Sequence, residues 1–137
     1  MSTQPIANLA QQAYENFKTG NIPALLDLLS DNINWELPVI NDIPYTGKRQ
    51  GREAVGQFFA LVDEAQETLQ FEPQQFIEQG DKIVALGRYA WRIRSTGREY
   101  ASNFAHIFTV REGKIVGFLE FLDTAAATAA FQKALSA

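Results

Sequence analysis

The segment NFAHIFTVREGKIVGFLEFLDT, from Asn103 to Thr124, constrains the fold most strongly, because it predicts a β-hairpin that runs into a helix. Arg111, Glu112 and Gly113 supply the turn, since Gly113 can adopt the left-handed backbone conformation that closes a three-residue hairpin loop. The length of this loop sets the register of the two strands. It pairs Val110 with Lys114, Phe108 with Val116, His106 with Phe118 and Phe104 with Glu120.

His106 and Glu120 are the groups on this face that can exchange protons. Side chains alternate along a strand, so both residues lie on the inner face, about one diagonal step apart, among aromatic and aliphatic neighbours. His106 is the single histidine of the chain. Histidine and glutamate are common general acids and bases. The pattern therefore predicts that His106 and Glu120 form a catalytic pair.

Both residues also have structural interpretations, which the sequence leaves open. His106 could be a core histidine that is hydrogen-bonded to a backbone carbonyl or to a tyrosine. Glu120 could form only a structural ion pair with His106, or a shift of register could turn it towards solvent. A glutamate that is buried without a partner is rare in proteins.

The preceding segment predicts further strands. From Leu69 onwards the hydrophobic residues alternate, with turns at Gly80-Asp81 and Thr96-Gly97. Together with the hairpin, this predicts four consecutive antiparallel strands: Leu69–Gln79, Lys82–Ser95, Arg98–Val110 and Lys114–Leu122. Pro73 marks the first of them as an edge or bulged strand. A two-residue turn at Thr96-Gly97 places Gly87 opposite His106, where the glycine leaves space beside the imidazole. The same pairing brings Tyr89, Trp91 and Ile93 to the face that carries His106.

The first half of the chain is mainly helical. Hydrophobic spacing predicts a helix over Gln4–Thr19, with Ser2 or Thr3 as its cap, a short second helix capped by Asn21, and a third over Gly51–Glu67. A short strand, Ile33–Leu37, stops at Pro38. The apolar loop Pro38–Gln50 is expected to form a lid or rim. An alanine-rich helix, Thr124–Leu135, follows its cap Asp123. Helices followed by an antiparallel sheet predict a single α+β domain over residues 1–137.

The sheet is apolar on both faces, which predicts a second covering layer. Three helices can cover only one face. We therefore expect the other face to form a two-fold homodimer. This outer face comprises Val84, Leu86, Ile107, Leu119 and Phe121.

Composition excludes several classes of function. The net charge of −4 is scattered without a basic run, so neither nucleic acid nor a membrane surface is an expected partner. The absence of cysteine fits a cytoplasmic location, which the lack of a leader-like or membrane-spanning segment also favours. One histidine and scattered carboxylates predict no metal site, and no phosphate-binding glycine loop is present. No cofactor is therefore expected.

The order of these elements resembles the nuclear transport factor 2-like superfamily, which includes the ketosteroid isomerases and the SnoaL-like polyketide cyclases. The resemblance runs from AYENFKTGNIPALLDLLSDNINWELP through PYTGKRQGREAVGQFF to AHIFTVREGKI and FLDTAA. It implies a conical barrel in which a curved, mainly antiparallel sheet wraps around three N-terminal helices, with a C-terminal helix. It also implies a pocket between the helices and the sheet, with the third helix across its mouth.

The resemblance transfers the chemistry only in part. In this resemblance, Leu37 occupies the position of the general-base aspartate of the isomerases. Their tyrosine donor falls near Ala13, which is next to Tyr14. Their second acid falls on His106. The acid and partner histidine of the cyclases fall on Glu120 and His106. The Asp–Arg–Asp arrangement of the epoxide hydrolases is not expected, because the candidate arginines Arg88, Arg92 and Arg94 fall on the outer face.

These observations predict a cofactor-free acid–base enzyme, isomerase- or cyclase-like, that acts on a small apolar carbonyl compound. Glu120 would move the proton, and His106 would donate to the enolate oxygen or shuttle the proton. The alternatives are a non-catalytic module that binds a small apolar molecule and a dimerisation domain with a filled barrel. The expected substrate-binding residues, of which the tryptophans could equally be core, are Tyr14, Trp35, Leu37, Phe58, Tyr89, Trp91, Phe104 and Phe118.

Overall fold

The computed structural model describes residues 6–132 and has an α+β architecture, as predicted. The helices are α1 (Ala7–Lys18), α2 (Ile22–Asp27), α3 (Arg52–Ala65) and α4 (Thr124–Phe131). The strands are β1 (Leu29–Leu37), β2 (Gly47–Gln50), β3 (Gln66–Gln79), β4 (Lys82–Ile93), β5 (Glu99–Arg111) and β6 (Lys114–Phe121).

The six strands form one curved, unclosed sheet in the order β2-β1-β6-β5-β4-β3. β1 pairs with β6 in parallel, and every other neighbouring pair in this sheet is antiparallel. α1, α2 and α3 contribute buried residues to the same core as the inward side chains of the strands. Pro73 lies on the edge strand β3, beside one of its two bulges, as predicted.

The predicted register of the β5–β6 hairpin is wrong by one residue next to the turn and by two residues beyond the bulge. The turn has two residues, Glu112 and Gly113, because both adopt positive φ angles of 51° and 76° that close a tight hairpin. Arg111 therefore pairs with Lys114. Val116 then forms a bulge, so that Thr109 pairs with Gly117 and every later partner shifts by one residue.

The predicted register of the β4–β5 hairpin is also wrong by two residues. The connection has five residues, 94–98, and the Ile93 amide donates to the Arg98 carbonyl at 2.8 Å. Gly87 consequently lies opposite Phe104, and Ala85 lies opposite His106. A Cβ atom at Gly87 would collide with the Phe104 ring and with the backbone oxygen of Glu72. This glycine therefore allows close packing and leaves no space beside the imidazole.

The loop predicted over Pro38–Gln50 is shorter than expected, because Gly47–Gln50 pairs with β1 as strand β2. Ile40, Ile43 and Tyr45 of the remaining loop are buried, whereas Val39 is 79% exposed. The apolar residues of this loop thus mainly enter the core.

Two predicted helix ends need correction. α3 ends at Ala65, because Gln66 is extended and starts β3. α4 ends at Phe131, since Gln132 is also extended. The predicted start of the first helix at Gln4 and its cap lie outside the described residues. Asn21 and Asp123 cap their helices as predicted, accepting from the Ala24 and Ala126 amides at 3.2 and 3.0 Å.

The outer face of the sheet is only partly covered. Val84, Leu86, Ile107 and Leu119 are half-buried, and Phe121 is 50% exposed. Arg88, Arg92 and Arg94 are exposed, as predicted. No helix within residues 6–132 has the length and apolar character that crossing a membrane requires.

Candidate active site

A cavity of about 80 Å³ lies between the helices and the inner face of the sheet. Aromatic side chains form most of its wall, and its polar groups are four phenols, one amide, one imidazole and one carboxylate. These polar groups belong to Tyr14, Tyr45, Tyr89, Tyr100, Gln66, His106 and Glu120.

His106 and Glu120 are in direct contact within this cavity. Their residues are opposite each other on β5 and β6, not one diagonal step apart as predicted. His106 Nε2 lies 2.6 Å from Glu120 Oε2. The residues are 4% and 8% exposed, so the pair is largely shielded from solvent. A hydrogen bond between an imidazole and a carboxylate is stronger under such shielding than in water.

The bulge at Val116 is the reason that Glu120 points inwards. Without it, the two-residue turn would pair Glu120 with Ala105, which places the carboxylate on the outer face. The bulge adds one residue to β6 and restores the alternation, so that Glu120 meets His106. The alternative in which Glu120 turns towards solvent is therefore excluded.

Tyr14 of α1 contacts the other nitrogen of His106, with 2.8 Å between the phenol oxygen and Nδ1. Where Glu120 is ionised, its carboxylate can only accept, and Nε2 then carries the proton that it donates to Glu120. In the neutral imidazole, Nδ1 then accepts from the Tyr14 hydroxyl. The result is a continuous chain of hydrogen bonds from Tyr14 through His106 to Glu120.

Two phenylalanines hold the imidazole ring in place. Phe104 stacks on it, with ring centroids 4.2 Å apart, and Phe118 contacts it at 4.8 Å. Phe104 also stacks on Tyr89, with centroids 5.1 Å apart. Because both contacts restrict rotation of the ring, the direction of its two nitrogens is fixed by packing as well as by hydrogen bonds.

The four phenols remain protonated donors. Burial is the main cause that raises the pKa of Tyr14, Tyr45, Tyr89 and Tyr100 well above that of a free phenol. The negative charge of Glu120 raises each of these pKa values further. Tyr89 and Tyr100 thus add hydrogen-bond donors close to the His106–Glu120 pair.

Tyr45 and Gln66 form a further polar contact in the cavity wall. The Tyr45 hydroxyl donates to Gln66 Oε1 at 2.8 Å, and both residues are buried. Neither was expected at the site, nor was Tyr100. The apolar character of the Pro38–Gln50 loop indicated that Tyr45 could be buried. Nothing in the sequence indicated Gln66, because the helical pattern placed it inside the predicted third helix.

Trp35 of β1 forms an apolar wall of the cavity. It stacks on Phe118, with centroids 3.9 Å apart, and its ring lies 5.5 Å from the rings of both Phe58 and Phe59. Its indole nitrogen is buried and has no hydrogen-bond partner within residues 6–132.

The structure brings most of the predicted site residues together. Tyr14 and six other expected substrate-binding residues line the cavity together with His106 and Glu120. The six are Trp35, Leu37, Phe58, Tyr89, Trp91 and Phe118. Phe104 is an exception, because it packs behind His106 and is not part of the wall. No group of three or more potential metal-ligating side chains occurs among residues 6–132.

The curved, unclosed six-stranded sheet with its four helices matches the nuclear transport factor 2-like fold. The SnoaL-like domain family matches residues 10–118, and the chain belongs to this family. No curated protein sequence matches the chain significantly.

Solved structures with this fold are similar over nearly the full chain. A nuclear transport factor 2-like protein from Burkholderia xenovorans is 26% identical, with a TM-score of 0.86 over 96% of this chain and 99% of the other. TerC, co-crystallised with polyporic acid, is 22% identical, with a TM-score of 0.78 over 93% and 98%. A SnoaL-like polyketide cyclase homologue from Mesorhizobium loti is 19% identical, with a TM-score of 0.72 over 86% and 99%. At these identities the last two support the fold alone.

Proposed function

We propose that this protein is a cofactor-free acid–base enzyme, isomerase- or cyclase-like, that acts on a small, largely apolar carbonyl compound. The observation that carries the proposal is the buried chain of hydrogen bonds from Tyr14 through His106 to Glu120. It places one carboxylate in an aromatic cavity that also presents several neutral donors. Such an arrangement suits proton transfer to and from carbon.

Glu120 is the base in this proposal. His106 contacts Oε2, and in this proposal Oε1 of the carboxylate takes the proton of the substrate. Removal of a proton from the carbon next to a carbonyl leaves the electron pair in an enolate and converts Glu120 to the acid. In an isomerisation, that acid returns the proton to another carbon. In a cyclisation, the enolate carbon attacks a second carbonyl carbon, and the new alkoxide takes the proton.

His106 positions the base and does not contact the substrate oxygen. Both of its nitrogens are engaged, one by Tyr14 and the other by Glu120. This differs from the role expected from the sequence, in which His106 donates to the enolate. The neutral phenols of Tyr89 and Tyr100 are better placed for that role, because both line the cavity and stay protonated.

The second candidate function is non-catalytic binding of a small apolar molecule. It is favoured by the fact that His106 and Glu120 satisfy each other as hydrogen-bond partners. In that case the pair would serve only to satisfy two buried polar groups.

Exchange of hydrogen for deuterium separates the two candidates without knowledge of the natural substrate. 2-Tetralone, an aromatic ketone with acidic α-hydrogens, is incubated with the protein in D2O, and the loss of the α-proton signals is followed by nuclear magnetic resonance. Enzymatic proton abstraction predicts faster exchange than in buffer or with heat-denatured protein. Binding of 2-tetralone without faster exchange would support the non-catalytic function.

A further inference from the structure

We infer that Gln66 is an additional ligand-binding residue, which selects molecules that carry a second hydrogen-bond acceptor, such as a carbonyl oxygen, at the end remote from Glu120. The inference rests on the proposed use of the cavity for a carbonyl compound. The His106–Glu120 pair does not itself select for this second acceptor.

The backbone at the end of α3 turns Gln66 into the interior. Its φ and ψ angles of −153° and 155° end the helix and start β3. Gln66 then pairs with Ile93 and is only 4% exposed. A glutamine buried to this extent stabilises the protein only if its polar atoms find partners.

The amide of Gln66 is satisfied on one side only. Its oxygen accepts from the Tyr45 hydroxyl at 2.8 Å. Burial raises the Tyr45 pKa, so the phenol remains the donor and fixes the orientation of the amide. The amide nitrogen donates to no group within residues 6–132. It is also not one of the side-chain atoms in this part of the chain that are fully shielded from solvent and lack a hydrogen-bond partner. It therefore borders open space, where an acceptor on a ligand can meet it.

Gln66 also borders a second space outside the cavity. An outer cleft of about 450 Å³ adjoins the cavity of about 80 Å³. The two spaces share part of their walls, formed by Phe17, Phe59, Val62, Gln66 and Trp91. His106 and Glu120 line only the inner cavity, so Gln66 lies between this pair and the cleft.

The size of the cavity requires a ligand to reach this position. An apolar cavity of ~150 Å³ accommodates benzene in a well-studied case, and the inner cavity, at about 80 Å³, is smaller. An aromatic ketone whose α-carbon meets Glu120 must therefore displace the shared wall and place its other end beside Gln66. Gln66 is the polar residue of that wall, so an acceptor oxygen at this end gains a hydrogen bond that a plain hydrocarbon does not.

Binding of two matched ketones tests this inference. Acetophenone has one carbonyl, and 1,4-diacetylbenzene has a second carbonyl at the opposite end of the same ring. Dissociation constants are measured by titration calorimetry for the unmodified protein, for Gln66→Met and for Gln57→Met. The last variant is the control, because Gln57 is exposed on α3, away from the inner cavity.

We expect the unmodified protein and Gln57→Met to bind 1,4-diacetylbenzene between about 3-fold and 10-fold more tightly than acetophenone, the range for one neutral hydrogen bond. Gln66→Met should bind both ketones equally. Tyr45→Phe serves as a second variant, since loss of the anchoring hydroxyl should also reduce the preference. Equal binding of the two ketones by the unmodified protein, an undiminished preference in Gln66→Met, or binding of neither ketone would overturn the inference.

This experiment measures affinity and not turnover, so its failure is distinct from failure of the proposed function. Rapid exchange of 2-tetralone protons together with an unchanged preference in Gln66→Met would retain the enzyme and reject the role of Gln66. A preference that depends on Gln66, without any proton exchange, would retain the binding role and reject catalysis.

Discussion

His106 Nε2 and Glu120 Oε2 lie 2.6 Å apart, because the two residues are direct partners on neighbouring strands. Their contact depends on the backbone more than on the side chains. A two-residue turn brings β5 and β6 together, and the bulge at Val116 then turns Glu120 to the inner face. The orientation of the carboxylate is thus determined about four residues away from it along β6.

The tyrosines predict a specific response to alkaline pH. All four tyrosines of the chain are buried and have raised pKa values, relative to a reference of 10.0. The unfolded chain therefore loses protons above pH 10 that the folded chain retains. The stability conferred by the neutral phenols is fully present below this pH and decreases as the pH rises, by about 1.4 kcal/mol per pH unit for each phenol.

Two measurements check this response. We expect the tyrosinate absorbance in the near ultraviolet to appear only together with the loss of secondary structure, followed by circular dichroism. Urea denaturation at a series of alkaline pH values should show a shallower decrease in the free energy of unfolding for Tyr14→Phe than for the unmodified protein. Gradual ionisation of tyrosines in the folded state would show that the phenols are not shielded as described.

The close packing around Gly87 leaves no room for a side chain at this position. An alanine at this position meets the Phe104 ring and the backbone oxygen of Glu72, and the latter cannot move without distortion of β3. We expect Gly87→Ala to reduce the free energy of unfolding by about 1–3 kcal/mol, the usual range for overpacking. The matched control is Gly117→Ala on β6, whose added Cβ contacts only the Thr109 side chain, at 3.3 Å and beyond. Urea denaturation measures both, and an equal loss would contradict the close packing at Gly87.

The outer face of the sheet predicts self-association. We propose a homodimer through Val84, Leu86, Ile107, Leu119 and Phe121, because these apolar side chains remain half-buried or exposed on the single chain. Ile107→Glu would place a charge in that interface without a partner, and we expect monomers or insoluble protein. Val39→Glu is the control, since Val39 is 79% exposed and lies outside the sheet. A monomeric mass of the unmodified protein in sedimentation at micromolar concentration would exclude the dimer.

The sequence identifies the architecture and places His106 and Glu120 on one face, but it does not give the register that brings their side chains into contact. Alternation of hydrophobic residues locates β5 and β6 and places His106 and Glu120 on one face. The register escapes this reasoning, because a two-residue turn with a bulge and a three-residue turn without one give the same face for Glu120. Only the former makes the two residues direct partners.

Other parts of the site depend on contacts that no local pattern records. Tyr14 is 92 residues from His106 in the chain, and only the family resemblance suggested a tyrosine in this position. Gln66 escaped detection because the helical pattern of α3 continues into the residues after Ala65, whereas pairing with Ile93 imposes an extended backbone. Tertiary contacts thus override local propensity at the residue that we propose for ligand selection.

The comparison of Glu120→Gln with the unmodified protein tests the catalytic role of Glu120 most directly. The amide keeps the shape of the side chain but cannot accept the proton from the substrate. The exchange of 2-tetralone protons in D2O and the free energy of unfolding in urea are measured on the same two proteins. The account predicts that exchange falls by at least about 100-fold, the lower end for loss of a general base. The affinity for 2-tetralone should stay within a few-fold, and any loss of stability should remain within about 1–3 kcal/mol, as for one disturbed buried hydrogen bond. Exchange by Glu120→Gln at the rate of the unmodified protein, with only the stability changed, would contradict the account and leave the pair a structural one.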